Sequence, residues 1–548
     1  MLSLRHVLKI PSGVLAKSKW NLTMSHYEAI DRDFMTSLAS SYLIRSIDEV
    51  SKSGFSEAKV AELKQEIKRL TRKKSNQETK KQLQQKKQEL QELLFMPHYL
   101  NLIVETNKHY ERANKGFVVN GIKYKRLLAT SGGVKLNTIV YVNELYHTAL
   151  LERINCGRDM EKLFVPAKLE SYMGLVCSAS NPVSNTHRVL VVDDVETTFL
   201  SEAIVLDDSG EGYPKIEYRE DYQVVNNATD GFGLISPRFS AQWAKDLHLD
   251  YLPSGYTTRN AFCKGMLFTF DFEQFAEEVA GRYEVKDVWG ETHDIREIDI
   301  ILTTSMLKLW DSYNSYKHYT QCCDKYHYTF SVTKYTPKVL DNERSLNYQF
   351  IQSLNLSSED IDELIEPTVS EIKEVLGGDY RKALLYLRGV NMSEEHTRLD
   401  GYDFVNALML EPQLANDPYV RSSIHHMIKK KIDDAKIGVL KVPGNFQILS
   451  GDPYILCEAI FGFEPKGLLK ANEYYSDYWN QLGIDEVAAF RAPMICMNNI
   501  RTFKLKQNEE MKKWYRYMDK VVIVNAWDTS PAAMCGFDYD GKKSCRPD

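Results

Sequence analysis

Residues 521–548 read VVIVNAWDTSPAAMCGFDYDGKKSCRPD. The apolar run Lys520–Val524 predicts a strand, and Asp538-Tyr539-Asp540-Gly541 follows it. Alternate residues of an extended segment project to one side, so Asp538 and Asp540 can face a common point. Gly541 lets the backbone turn sharply or approach a ligand closely. Hard divalent ions such as Mg²⁺ prefer oxygen ligands of this kind, which makes the pair a candidate metal site. A plain turn rich in Asp and Gly is the other reading of the same residues. A calcium-binding loop is excluded. With Gly541 in the sixth loop position, the first and last positions fall on Gly536 and Pro547, and neither carries a carboxylate. After Gly541, KKSCRPD shows no apolar alternation and predicts no further strand.

Working outward, β character extends back to Ile437 through IGVLKVPGNFQILSGDPYILCEAIFG. Residues 336–436 predict helices: Ser357-Ser358-Glu359-Asp360 supplies a cap with acid in the first turn, Gly377-Gly378 ends that segment, and Asp379–Leu387 begins another. Residues 166–335 hold short β-rich runs, clearest at Val189–Val192, Glu202–Leu206, Gly233–Ile235 and Met266–Phe270. Their spacing is that of a barrel or a compact α+β unit, not of alternating crossovers. Residues 96–165 are mixed, with short apolar runs such as Thr138–Val142. In 56–94, Val60, Leu63, Ile67 and Leu70 form a helical stripe that Leu83, Leu90, Leu93 and Leu94 resume, predicting a long helix or a helical hairpin. The predicted architecture is α+β: an α-rich N-terminal region (1–165) that includes the basic segment 56–94, a β-rich unit (166–335), a helical connector (336–436) and a second β-rich unit (437–548).

Composition agrees with several globular domains. The chain has 548 residues, 43% hydrophobic and 26% charged, which excludes a disordered chain and suits roughly three or four domains. The net charge of −6 announces no nucleic-acid binder, although 56–94 alone carries 11 Lys/Arg against 6 Asp/Glu. A solvated charged face on an antiparallel pair competes there with a nucleic-acid contact. No apolar stretch reaches the roughly 18 residues of a membrane span, so no membrane partner is expected. Nine cysteines, an odd number without a CxxC pair, predict a reduced intracellular protein. Among other signals, Leu190–Asp194 lacks a phosphate-binding glycine loop and reads as a plain barrel strand. His425-His426 has no acid or cysteine at ligand spacing. Tyr313, Tyr316, Tyr319, Tyr326 and Tyr328 could stack bases but are more commonly packing residues.

Phe490-Arg491-Ala492-Pro493-Met494 and Asn498–Arg501 precede the Asp-Tyr-Asp-Gly segment. Here the chain resembles the two-barrel, double-psi β-barrel RNA polymerases, above all their silencing-type and single-chain phage members. In that family an arginine in an N-R-A-P-like segment precedes a D-x-D-G-D metal loop. Three further segments are similar to family elements: Thr229-Asp230-Gly231-Phe232-Gly233-Leu234-Ile235-Ser236, then Arg259 with Lys264-Gly265, then Thr304-Ser305-Met306-Leu307-Lys308-Leu309, with Thr in place of an expected Arg-Pro. Together the pieces span residues 190–541, about two thirds of the chain, in family order.

The resemblance implies two double-psi β-barrels and templated nucleotidyl transfer from nucleoside triphosphates. A nucleic-acid template, DNA or RNA, and an RNA product are the implied partners, and two Mg²⁺ ions the cofactor. It implies Asp538 and Asp540 as metal ligands in one barrel, and cations of the other barrel at the substrate phosphates: Lys264, then Arg259, then Lys308. It places Arg491 at the ribose, where the 2′-hydroxyl distinguishes RNA from DNA precursors. Each has a plain alternative: a solvated lysine for Lys264 and Lys308, a structural salt bridge for Arg259, and a brace to backbone carbonyls for Arg491. Asp230, Gly231 and Gly233 read as a tight turn rather than as substrate contacts.

The sequence also departs from the family inside the loop itself. The third aspartate of the loop would fall at 542, where this chain has Lys542, and a cation there opposes metal binding. With no strand predicted after Gly541, the second barrel is expected to be incomplete with an open edge. These features suggest the N-terminal portion of a longer polymerase, interrupted at its metal loop, inactive by itself, and completed by a separately encoded C-terminal half. The absence of long accessory segments points to a phage or bacterial mobile element working in the host cytoplasm. The competing expectation is a non-catalytic nucleic-acid-binding or scaffold protein that retains the polymerase fold.

Overall fold

The computed structural model describes residues 4–72, 77–210, 212–376, 407–408 and 410–540, and the backbone of 543–547. The predicted end of a helix at Gly377-Gly378, the helix over Asp379–Leu387 and Lys542 lie outside the described residues. The chain divides into two compact units. The first holds Met1–Val189, Thr257–Lys264 and Leu307–Lys334; the second holds Leu190–Tyr256, Gly265–Met306 and Tyr335–Asp548.

In the first unit the N-terminal region is built on a seven-stranded sheet. Its order is Asn21–Leu22, Phe117–Val119, Ile122–Leu128, Thr138–Asn143, Phe95–Ile103, Leu4–Pro11, Met35–Ala39. Helices still hold more of this region than strands do, but the sheet organises it. Its signal was hidden because neighbours in space, such as Leu4–Pro11 and Phe95–Ile103, lie far apart in sequence and pair in parallel. One face of the sheet sends Leu8, Ile10, Leu100, Leu102 and Tyr141 into a core shared with Leu15 and Phe117. Arg5, 2% exposed, pairs with Asp48 at 2.5 Å and donates to the Leu94 carbonyl, tying sheet to helix. Removing one partner of such a buried pair strands the other charge, at a cost of about 3–5 kcal/mol.

The basic segment forms the helices Glu57–Arg72 and Gln77–Leu94. Lys86 bridges to Glu66, and Lys59 to Glu89, so the two helices run antiparallel as a hairpin. Val60 and Leu63 of the predicted stripe are buried, and the charges ride on the solvated side. Tyr313, Tyr316, Tyr319 and Tyr328 are packing residues: all are buried, and Tyr313 meets Tyr319 edge-on at 5.1 Å. Among the described residues, no helix is long and apolar enough to cross a membrane.

In the second unit the strand Phe232–Ile235 pairs in parallel with Met266–Thr269 and antiparallel with Ile300–Thr303. Glu196–Asp207 and Lys215–Asn227 form a long two-stranded ribbon, anchored at its base where Thr197 donates to the Ala526 carbonyl at 2.5 Å. Ser357 and Asp360 cap the helix Ser358–Leu376 reciprocally, as the sequence predicts. His425 and His426 lie exposed on the helix Pro418–Lys436.

The C-terminal strands close into a six-stranded barrel: Asn445–Ser450, Val521–Val524, Glu473–Tyr475, Ile500–Leu505, Glu486–Phe490 and Lys543–Pro547. Two of its pairings are parallel, Asn445–Ser450 with Val521–Val524 and Glu473–Tyr475 with Ile500–Leu505. The last strand corrects the expectation that nothing after Gly541 extends the sheet and that the barrel stays open there. Lys543–Pro547 pairs antiparallel with both Asn445–Ser450 and Glu486–Phe490, through Ile448↔Lys543 and Ala488↔Arg546. Apolar alternation is a poor guide in this position, because a ladder needs only backbone N–H and C=O groups and two waiting edges supply them. One core joins the barrel to the rest of the unit, with Leu190, Phe232 and Phe268 in the same cluster as Ile448, Val522 and Tyr539.

Candidate active site

Asp538 and Asp540 sit in a bend beyond the short helix Ser530–Ala533, not on a strand. The alternation nevertheless survives, since both carboxylates are half-buried and Tyr539 between them is 1% exposed. Tyr539 turns inward against Phe232 and Phe537, with centroids at 6.4 and 5.5 Å. Burial pushes its phenol well above its ordinary pKa, and Asp528, Asp230 and Asp452 push in the same direction. A neutral aromatic plug therefore fixes the loop from inside, and the flanking carboxylates stay half-buried on either side of it.

The loop rests on the turn at Thr229–Gly231. The Tyr539 N–H donates to the Asp230 carbonyl at 2.8 Å. Gly231 has φ +74°, and a Cβ on it would lie 3.0 Å from the Asp540 Cβ. Gly233 is equally constrained, since a Cβ there would meet the Ile301 carbonyl at 2.5 Å. Gly265 packs on the same turn: its Cβ would fall 2.4 Å from the Gly231 carbonyl oxygen, which also accepts from Met266 N–H at 2.9 Å.

Asp194 locks this arrangement. One of its oxygens accepts from Thr304 Oγ1 and Ser305 N–H, each at 2.8 Å; the other accepts from Ser305 Oγ at 2.5 Å and Thr229 Oγ1 at 3.2 Å. Ser305 Oγ in turn accepts from Gly231 N–H at 2.8 Å. The sequence shows Asp194 only as the end of an apolar strand. Its one signal there is a pair of acids, Asp193 and Asp194, after the apolar run Val189–Val192.

Arg491 donates to the carbonyls of Met534 and Cys535, both at 3.1 Å, and so braces the segment leading into the Asp538–Asp540 loop. Asn499 assists by donating to the Ala533 carbonyl at 2.7 Å. Asp528, buried nearby, is saturated by Tyr474, Asn525 and the Ser530 N–H, and acts structurally.

The first unit gathers the three candidate cations. Arg259 lies on Gly255–Asn260 and Lys264 on Cys263–Thr269, while a bridge between Cys263 and Leu307 brings Lys308 alongside. Burial pushes the Cys263 thiol up to about 12, against the pull of Arg259 and Lys308. Arg259 donates to the Thr258 carbonyl at 2.6 Å and to Ser178 Oγ at 3.3 Å.

The donor set at Asp538 and Asp540 fits a hard divalent cation: two half-buried carboxylates on a loop whose underside is cradled by a glycine that no side chain could replace without displacement. Asp287, Glu291 and His293 also bring ligand atoms within 4.8 Å of one another. There, however, Asp287 already accepts from the N–H groups of Trp289 and Glu291 and pairs with His293, which is the bonding of a closed turn.

The RNA dependent RNA polymerase family matches residues 62–543. The DNA-directed RNA polymerase YonO of Bacillus phage SPbeta is 28% identical over 451 residues, 79% of this chain and 49% of the phage protein. The solved structure of the RNA dependent RNA polymerase QDE-1 from Thielavia terrestris superimposes with a TM-score of 0.53 at 13% identity, covering 82% of this chain and 48% of that one. The chain thus spans about half the length of either relative. The structural likeness establishes the fold, an α+β protein with double-psi β-barrels.

Proposed function

Given that the chain belongs to the RNA dependent RNA polymerase family, we propose that it carries the metal loop for templated nucleotidyl transfer. In that reaction a 3′-hydroxyl attacks the α-phosphate of a nucleoside triphosphate and pyrophosphate leaves. The observation that carries the reading is the seating of Asp540 on Gly231, which joins two separate family-like segments at one point. Asp538 and Asp540 would hold Mg²⁺, which when bound neutralises charge on the phosphates. Lys264 serves the substrate phosphates as a point charge, with Arg259 and Lys308 in support. Arg491 holds the metal loop in place and reads the ribose. The setting is the cytoplasm of a bacterial host, and the template is DNA or RNA.

Two carboxylates followed by Lys542 make a weak site, so the chain as it stands incorporates ribonucleotides slowly at best. The test is primer extension on DNA and on RNA templates with ribonucleoside triphosphates and Mg²⁺. We expect little extension by the natural chain, a clear gain in Lys542→Asp, and loss of that gain when Asp540→Ala is added. Robust extension that survives Asp540→Ala would overturn the proposal. Lys542 itself favours a second reading, a template-binding protein without catalysis. That reading requires retained template binding and no gain from Lys542→Asp.

A further inference from the structure

The face of the N-terminal sheet turned away from its core carries a cavity of about 410 Å³, built entirely from residues of the first unit. This volume lies in the range of small-molecule sites. Four adjacent strands make the floor. Across three of them Lys9, Asn101 and Val140 stand directly opposite one another, giving a row that runs from cation to amide to apolar side chain. Leu38 extends the floor, and Gly132 and Leu136 form the rim, where Leu136 is 67% exposed.

The chemistry of the lining is asymmetric. Among the described residues Lys9 is the only charged side chain that lines it, and no carboxylate does. Lys9 is half-buried, and Asn101 is 8% exposed beside the buried Tyr99. An ammonium without a carboxylate partner favours an anion, and one ammonium matches one phosphate rather than a triphosphate. Beyond the cation the wall offers the Asn101 amide and hydroxyl residues such as Ser41 and Thr138 for polar edges, and Leu38, Leu136 and Val140 for a flat apolar body. A ligand with a single phosphate at one end and a planar heterocycle at the other satisfies each of these features.

We propose that this cavity binds one nucleoside monophosphate unit, either free or as the 5′-phosphorylated end of an oligonucleotide, with the phosphate on Lys9 and the base between Asn101 and the apolar wall. The site is separate from the metal loop in sequence and in the unit that builds it.

Calorimetric titration of the full chain tests this, with adenosine 5′-monophosphate, adenosine, and a 5′-phosphorylated dinucleotide as probes. Two variants report on the cavity. Lys9→Met removes the charge at a half-exposed position. Gly132→Phe adds bulk at the rim, where an added Cβ meets nothing within 4 Å; a circular-dichroism melt confirms that the variant is folded. Saturable binding of a phosphorylated probe is expected, with adenosine markedly weaker and each variant weakening binding by roughly tenfold or more. The probe that binds tighter identifies the free or the strand-end form. Asp540→Asn is expected to leave binding unchanged, which separates failure here from failure of the polymerase reading. Absence of saturable binding, indifference to both cavity variants, or loss of binding in Asp540→Asn would each overturn the proposal.

Discussion

Gly231 and Asp540 approach so closely that a Cβ on the glycine would lie 3.0 Å from the Cβ of the aspartate. They are more than 300 residues apart in the chain. The contact puts the position of a candidate metal ligand under the control of a turn in a different β-rich region. Gly231→Ala therefore has two costs, a left-handed backbone at φ +74° and a displaced loop. The first alone is worth about 1 kcal/mol. The expected outcome is a loss of about 1–3 kcal/mol in urea unfolding, with Mn²⁺ affinity, read by electron paramagnetic resonance, falling further than stability alone explains. Unchanged Mn²⁺ binding would detach the turn from the loop.

Asp194 reaches the same turn from behind. Its bonds to Thr229, Thr304 and Ser305 come from donors that lose their acceptor together when it is removed. Bonds to a charged group contribute about 1.5–3 kcal/mol each, less where donors find water. Asp194→Ala should thus cost about 3 kcal/mol or more, and Ser305→Ala about 1–2 kcal/mol. Because Ser305 links Asp194 to Gly231, the double variant should lose less than the two single losses combined. Strict additivity in thermal or urea unfolding would show that the network is not one unit.

How much of this was legible beforehand depended on range. The strands at Val189–Val192 and Val521–Val524, the helical hairpin and the Ser357 cap were readable because each depends on neighbours within a few residues. The carboxylate pair was readable for the same reason. The N-terminal sheet was obscured because its pairing is distant in sequence, and the strand Lys543–Pro547 because its backbone completes a ladder that its side chains do not advertise. Asp194 does not stand out within Leu190–Asp194 because a hydrogen-bond hub is defined by its donors, which lie up to 111 residues away.

Arg491 illustrates a residue whose plain role is visible while its proposed role awaits substrate. Its bonds to the Met534 and Cys535 carbonyls come from one end of a planar fork. A lysine carries the charge without that geometry. Arg491→Lys should therefore behave like Arg491→Ala, each losing about 1–3 kcal/mol of stability. In the Lys542→Asp background, both should also narrow the preference for ribonucleotides over deoxyribonucleotides in primer extension. Full rescue of stability by lysine would rule out the fork as the source of the brace.

Asp452 gives the protein an unusual pH response. It caps the helix Pro453–Ile460 and is 2% exposed. Burial raises its pKa from 3.8 to about 6, although the N–H groups of Leu468 and Tyr454 pull the other way. The folded state thus holds this proton more tightly than the unfolded chain does. Between about pH 4 and pH 6 the folded form still carries the proton that the unfolded form has released. Stability from this group is therefore greatest below pH 4 and declines as pH rises to 6, by on the order of 2–3 kcal/mol. Most paired carboxylates contribute in the opposite sense, so the effect is isolated by difference. Asp452→Asn has no titration here, though it also loses the bond to Leu468 N–H. The gap between natural chain and variant, measured by urea unfolding from about pH 4 to about pH 7, should narrow by about 2–3 kcal/mol as pH rises. A gap that stays constant or widens would mean that Asp452 is ionised in the folded protein throughout this range.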